Sequence, residues 1–120
     1  TQFLFAADRS NPKLAERFDW MSPAILRFLN RASNNAAQFE IPLGVCGEMG
    51  GRPLDALALL GLGIRSLSIT PASVGPIKAM VRSLDLAQAK LEIEAILKEA
   101  PEEPRVRLEK WANQHDVDLG

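Results

Sequence analysis

The hydrophobic and polar positions of this chain follow two periods, which predict helices with two short strands between them. Apolar residues recur at helical spacing over residues 22–38, 53–61, 73–84, 85–100 and 105–114. Residues 42–46 form an apolar segment of strand length, and residues 66–70 alternate polar and apolar side chains. Because strands and helices alternate, the pattern indicates an α/β fold with parallel strands and right-handed crossovers.

Capping residues predict where most of these helices begin and end. Ser22 and Pro23 are typical of the N-cap and first position of a helix, and Asp85 is typical of another N-cap. We expect Ser73 to cap the helix that follows the second strand. Glycine is favoured just after a helix, so the helix that Pro53 opens is expected to close at Gly61 or Gly63.

Two strands cannot form a parallel sheet that is buried on both faces, as such sheets require. We therefore interpret residues 1–84 as the C-terminal portion of a (β/α)8 barrel and residues 85–120 as a C-terminal helical extension, with a hinge at 101–104. The chain begins with Thr1, already in an apolar pattern. Since free termini are usually polar, we expect the chain to be part of a longer protein.

The composition limits the classes of function. The chain has 14 Lys and Arg residues against 15 Asp and Glu residues, a formal net charge of -1. This balance gives no long-range attraction to nucleic acid or to an anionic membrane. No apolar run is long enough to cross a bilayer. A single cysteine excludes an internal disulfide bond and is typical of a reducing compartment, so we expect a cytoplasmic protein.

The candidate chemistry lies at the end of the first strand, in residues 42–51. Cys46 and Glu48 follow an apolar segment, and Gly47 leaves space for a small molecule. Parallel α/β sheets keep their active sites at this end of the strands. Arg9 follows another apolar segment and could bind an anion through its guanidinium. Alternatively, Cys46 is a small buried hydrophobic residue, while Glu48 and Arg9 are solvated.

Several segments resemble one known family. The segments are Thr1–Arg9, Ser22–Leu26, Gly44–Met49 with its Val-Cys-Gly-Glu-Met motif, Leu60–Gly63 and Leu67–Pro71. Over roughly residues 1–84, the chain resembles enzyme I of the phosphoenolpyruvate-dependent phosphotransferase system. Arg52–Ala56 is more similar to the nitrogen-related branch than to the sugar branch, in which aspartate more often precedes the proline.

The resemblance implies a (β/α)8 barrel that binds phosphoenolpyruvate and Mg²⁺ and forms a homodimer. In this family, the phosphoryl group passes to a histidine on a separate domain and then to a small phosphocarrier protein. The cysteine that matches Cys46 protonates the enolate of pyruvate, and the arginine that matches Arg9 binds phosphoenolpyruvate. Glu48 and Gly47 are expected to support the site. The metal ligands, further arginines and accepting histidine of the family have no match here, so we expect the chain alone to be inactive.

Three alternatives remain open. The chain could be a non-catalytic packing and dimerisation module, because a quarter of a barrel exposes apolar surface and strand edges. It could be a relative similar to pyruvate phosphate dikinase, although Met49 stands where that family usually has histidine. A cysteine nucleophile would need a base. The single histidine, His115, lies among polar residues and is expected to be solvated.

Overall fold

The computed structural model describes residues 10–13 and 19–120, in which helices alternate with two short strands before three final helices. The elements are α1 (Pro23–Gln38), β1 (Gly44–Cys46), a 3₁₀ turn (Glu48–Gly50), α2 (Pro53–Gly61), β2 (Ser66–Ser68), α3 (Pro71–Ser83), α4 (Leu86–Glu99) and α5 (Pro104–Gln114). This order agrees with the sequence pattern. The expected apolar segment before Arg9 lies outside the described residues.

The two strands pair in parallel, as the alternation of strands and helices predicts. Val45 pairs with Leu67 and Cys46 with Ser68, and α2 lies between the strands in the chain. Val45 and Leu67 pack against the hydrophobic core. The opposite sheet face is exposed and carries small side chains, those of Gly44, Cys46, Ser66 and Ser68. The α/β class is therefore confirmed, and each strand is only three residues long.

Helix α2 lies at the centre of the hydrophobic core. Its residues 56–59 are fully buried, and α3, α4 and α5 all contact it. Helix α4 approaches most closely at Gly61, where an added Cβ atom would lie 2.5 Å from Cγ1 of Ile93. A glycine is required here because no side chain fits between the two helices.

Most predicted helix boundaries are confirmed. The Ser22 hydroxyl accepts a hydrogen bond from the Ile25 N–H at 3.5 Å, and Pro23 opens α1. The Asp85 carboxylate accepts from two backbone N–H groups of the first turn of α4, at 3.0 and 3.2 Å. Helix α2 ends at Gly61, and Gly63 then adopts a φ of +98°, as a glycine beyond a helix end commonly does.

The predicted cap at Ser73 is wrong. Helix α3 begins at Pro71, with Thr70 as its N-cap residue. Proline fits the first helical position because its fixed φ is helical and the N–H group that it lacks has no partner there. For the same reason α5 begins at Pro104, one residue earlier than the sequence pattern indicates.

The two C-terminal helices are held together by charged side chains. The Arg107 guanidinium donates to Glu92 at 2.8 Å and also contacts Glu99, both on α4. These two carboxylates raise the pKa of Arg107. Ala100 follows the last residue of α4 and ends that helix in the left-handed region, with a φ of +46°. The proposed division of the chain after residue 84 remains a prediction.

Candidate functional site

A pocket of about 650 Å³ opens at the carboxyl ends of both strands. Its lining residues come from the turn after β1 and from the β2–α3 connection: Gly47, Glu48, Gly51, Arg52, Ser68, Ile69, Thr70 and Ser73. Two residues that the sequence singles out, Gly47 and Glu48, are therefore in the pocket wall. The pocket lies where parallel α/β folds commonly bind ligands.

Two glycines shape the wall that follows β1. Gly47 has a φ of +111°, a conformation that side chains disfavour, and it turns the chain into the 3₁₀ segment. Glu48 consequently lies in that turn, beyond the end of β1. At Gly51, an added Cβ atom would lie 3.0 Å from the Ser73 hydroxyl. The turn therefore approaches α3 closely.

Cys46 is the last residue of β1, and its side chain is exposed. The alternative interpretation as a buried hydrophobic residue is therefore wrong. Its partner in the sheet register is Ser68, which lines the pocket, although Cys46 itself is not among the lining residues. Both side chains lie on the exposed sheet face. Since neighbouring strands are about 4.8 Å apart, the thiol lies beside the pocket.

The β2–α3 side of the pocket carries hydroxyl groups. The Thr70 and Ser73 hydroxyl oxygens are 3.1 Å apart, and no side chain caps the start of α3. The first turn of a helix has N–H groups without intrahelical partners and a partial positive charge. This side of the pocket is therefore suited to an oxygen-rich anion.

Arg52 is the basic residue of the pocket wall, although no sequence motif indicates a binding role for it. Its Nε atom lies 2.5 Å from Oδ2 of Asp55, which is fully buried at the start of α2. This contact is an ion pair, and Oδ2 accepts no hydrogen bond from the described residues. The spacing of Arg52 and Asp55, three residues apart at a helix start, was the signal available in the sequence.

The C-terminal helix α5 completes this charge cluster. Arg105 Nη1 donates to Asp55 Oδ1 at 2.7 Å. Its Nη2 and Nε atoms donate to the two oxygens of Asp19, at 2.7 and 2.8 Å. The hydrogen bonds from Arg105 hold the pKa of Asp19 below its usual value, and those to Asp19 and Asp55 raise the pKa of Arg105. Through the buried carboxylate of Asp55, Arg105 of α5 is thus connected to Arg52 in the pocket wall.

The remaining candidates have different outcomes. Arg9 lies outside the described residues, so its place beside Cys46 is untested. His115 is exposed and stacks on Trp111 with ring centroids 4.4 Å apart, in agreement with the expected solvated histidine.

Across residues 10–13 and 19–120, no three His, Cys, Asp or Glu side chains converge as a metal site requires. In the same part of the chain, no helix is both long and apolar enough to cross a bilayer.

Comparison with protein families shows which family the chain belongs to. Residues 1–86, which include both strands and all of the pocket wall, match the family described as "PEP-utilising enzyme, PEP-binding domain". The chain belongs to this family of PEP-utilising enzymes. Its α/β architecture is compatible with part of such a domain. The resemblance drawn from the Val-Cys-Gly-Glu-Met motif is therefore confirmed at the level of the family.

Individual PEP-utilising relatives carry names from the phosphotransferase system. A Salmonella typhimurium protein and an Escherichia coli K12 protein, both named "Phosphoenolpyruvate-dependent phosphotransferase system", are 38% and 40% identical over 89 residues. A "Phosphoenolpyruvate-protein phosphotransferase" of Borreliella burgdorferi is 35% identical over 88 residues. The matches cover 73–74% of this chain but only 12–15% of these relatives.

Proposed function

We propose that this chain supplies the last β/α units of the (β/α)8 barrel of a phosphoenolpyruvate-protein phosphotransferase. The observation that carries the proposal is the pocket where both parallel strands end, within the residues that match the PEP-binding domain. In (β/α)8 barrels the reacting groups stand at this end of the strands. Two strands supply only part of such a site, so we expect segments beyond this chain to complete it.

In the proposed reaction Cys46 is the acid. When the phosphoryl group leaves phosphoenolpyruvate, the remaining fragment is the enolate of pyruvate. The thiol gives its proton to the methylene carbon, the electron pair of the enolate double bond forms the new C–H bond, and a thiolate remains. The exposure of Cys46 and its pairing with the pocket residue Ser68 support this role.

The supporting residues follow from the same proposal. The Arg9 guanidinium binds the phosphate or carboxylate of phosphoenolpyruvate through charge-assisted hydrogen bonds. Gly47 allows the substrate to approach the turn after β1, and Glu48 borders the same space. These assignments rest on the family resemblance together with the two pocket positions.

The proposal includes partners that lie beyond the described residues. The phosphoryl group passes to a histidine on another domain and then to a phosphocarrier protein, and the enzyme is a cytoplasmic homodimer. Mg²⁺ takes part, and the family resemblance implies ligands from other segments. In this proposal, the sheet face that carries small side chains points into the barrel interior; its residues are Gly44, Cys46, Ser66 and Ser68.

A chimera tests the function. The matched 88-residue segment of the B. burgdorferi relative is replaced by the corresponding part of this chain, and pyruvate release from phosphoenolpyruvate is measured. We expect the chimera to release pyruvate, and we expect Cys46→Ala to slow it by about 100-fold or more, as loss of a general acid commonly does.

The control is Ser66→Ala, which alters the same sheet face at the far end of the strand and should change the rate less than about twofold. Circular dichroism and gel filtration show whether each chimera is folded. A folded chimera that releases no pyruvate contradicts the proposed function. A Cys46→Ala chimera of unchanged rate contradicts the role of the thiol.

A packing and dimerisation module is the second candidate. Large apolar side chains at Phe28, Phe39 and Ile41 are exposed, and the described part of the sheet consists of two strands. Such surface is typical of a segment that other protein covers. A relative similar to pyruvate phosphate dikinase remains less favoured because of Met49.

A further inference from the structure

The guanidinium of Arg52 is a second cation for the pocket, in addition to the one that the family resemblance implies for Arg9. Its side chain is 62% exposed and lines the pocket, while its partner Asp55 is 0% exposed. The contact to Asp55 is made through Nε. None of the residues that the structure describes accepts a hydrogen bond from the two Nη atoms, so these donors are available to a ligand.

The charges around Arg52 leave it available for an anion. The Asp55 carboxylate is shared, with Oδ2 beside Arg52 and Oδ1 accepting from Arg105. Arg105 is in turn shared between Asp55 and Asp19. The guanidiniums and carboxylates therefore alternate in the order Arg52, Asp55, Arg105 and Asp19. Arg52 is the member of this row that lines the pocket. Asp55 holds the guanidinium of Arg52 through a contact of 2.5 Å to Nε.

We propose that Arg52 binds an oxyanion group of the substrate through its Nη atoms, and that Asp55 is the residue that positions it. The ligand class is a small phosphorylated carboxylic acid, which offers two anionic ends to the pocket. This inference rests on the proposed function, since it assigns a further binding residue to the same pocket. The planar fork of arginine suits this task because it can contact Asp55 and a ligand oxyanion simultaneously.

The competing explanation is that Arg52 only neutralises a buried carboxylate. Under that explanation, removal of its charge changes stability and leaves anion binding unchanged. Under our proposal, anion affinity falls even where the variant remains fully folded. Binding and stability must therefore be measured on the same samples.

The experiment is a titration of the 120-residue chain, labelled with ¹⁵N and followed by NMR. Phosphoenolpyruvate, inorganic phosphate and pyruvate are added separately up to about 10 mM, a range that detects affinities near the millimolar level. We expect saturable shifts at the amides of Gly47, Gly51 and Ser73. Arg52→Gln should weaken phosphoenolpyruvate binding by about tenfold or more, since charge-assisted hydrogen bonds are lost.

The matched control is Arg82→Gln, an exposed arginine of α3 outside the pocket wall. It removes the same charge and should change the affinity less than about twofold. Arg52→Lys keeps a cation but has no fork, so we expect an intermediate loss. Comparing phosphate with pyruvate shows which anionic end Arg52 binds: the anion whose affinity falls in Arg52→Gln is its ligand group.

Asp55→Asn tests positioning, since it keeps the shape of the side chain and removes its charge. We expect weaker phosphoenolpyruvate binding together with a shifted Nε–H signal of Arg52. If Asp55→Asn does not fold, Arg105→Gln provides the second test, because it leaves the Arg52–Asp55 pair intact and should leave binding within about threefold.

The outcomes separate the two proposals. Saturable binding that Arg52→Gln leaves unchanged contradicts the role of Arg52, and the proposed function is then unaffected. Equal losses in Arg52→Gln and Arg82→Gln also contradict it, since they would reflect net charge alone. An absence of saturable binding in the unmodified chain contradicts this inference, whereas the chimera that releases pyruvate decides the proposed function separately.

Discussion

At the scale of single residues, Asp55 shows how a fully buried carboxylate is accommodated next to a binding pocket. An isolated buried charge is very costly, and it is tolerated when paired and hydrogen-bonded. Asp55 has two guanidinium partners, and its position in the first turn of α2 adds a favourable helix dipole. Arg105 provides the partner with good hydrogen-bond geometry. Stability at this point therefore depends on a residue from the C-terminal helix.

Replacing Arg105 with Gln is expected to destabilise the chain by about 2–4 kcal/mol at neutral pH, because Asp55 loses a buried partner. The measurement is urea unfolding at pH 7 and near pH 3. Since Arg105 lowers the pKa of Asp19, the Asp19 contribution is fully present above its unfolded value of 3.8 and is lost as the pH falls through the folded value. The loss caused by the substitution should therefore be smaller near pH 3.

Arg107→Gln is the control for Arg105. Its partners Glu92 and Glu99 lie nearer the surface than Asp55, so we expect a cost of about 1 kcal/mol or less. Asp19 is itself 43% exposed, and its share of the pH effect should not exceed about 1 kcal/mol. Equal costs for the two arginines would show that the burial of Asp55 does not determine the effect.

The sequence predicts some residues of the site and not others, for a physical reason. Cys46, Gly47 and Glu48 were found because a strand end followed by glycine is a local pattern, visible in adjacent positions. The row that joins Arg52 to Asp19 depends on contacts between residues up to 86 positions apart. Such contacts exist only after α5 packs on α2, so no local pattern could indicate Arg105.

At the scale of the elements, helix starts show the same distinction. Asp85 and Ser22 were predicted correctly because a polar cap next to the helix acts locally. Thr70 was missed because residues 66–70 were assigned to the second strand, whereas α3 begins directly after them at Pro71. The strands were predicted in place but are shorter than expected, since strand ends are determined by pairing with a neighbour.

The contact between α2 and α4 leads to a prediction from two glycines. Gly61→Ala places a Cβ atom 2.5 Å from Ile93 and should cost about 1–3 kcal/mol through overpacking. Gly75→Ala, within α3, meets no atom within 4 Å outside its chain neighbours, but it places a Cβ atom before Pro76, which disfavours the helical region. The gain in helix propensity is therefore offset, and we expect stability to change by less than about 1 kcal/mol. Urea unfolding of both variants measures the difference.

A clearly larger loss of stability in Gly61→Ala than in Gly75→Ala would support this packing, because the two substitutions make the same chemical change. If Gly61→Ala is as stable as the parent chain, the helices are not in the close contact that the structure describes.

At the scale of the whole molecule, the hydrophobic core surrounds α2, whereas one face of the sheet is left exposed to solvent. Within residues 10–13 and 19–120 the sheet has two strands, and one of its faces is exposed. Parallel sheets are usually covered on both faces. This arrangement agrees with a chain that spans 12–15% of its relatives, in which other segments can cover the exposed face.

The exposed apolar residues around the end of α1 lead to a prediction about association. Phe28, Phe39 and Ile41 are 56%, 69% and 60% exposed, and the two phenylalanines are about three helical turns apart, on the same side of α1. We expect the mass of the chain from light scattering to rise with concentration, because exposed apolar surface favours self-association. The double variant Phe39→Ser/Ile41→Ser should shift this rise to higher concentration, while Val106→Ser, an equally exposed position on α5, should not. A monomer at every concentration would contradict the dimerisation module, and an equal effect of Val106→Ser would show that association does not depend on this surface.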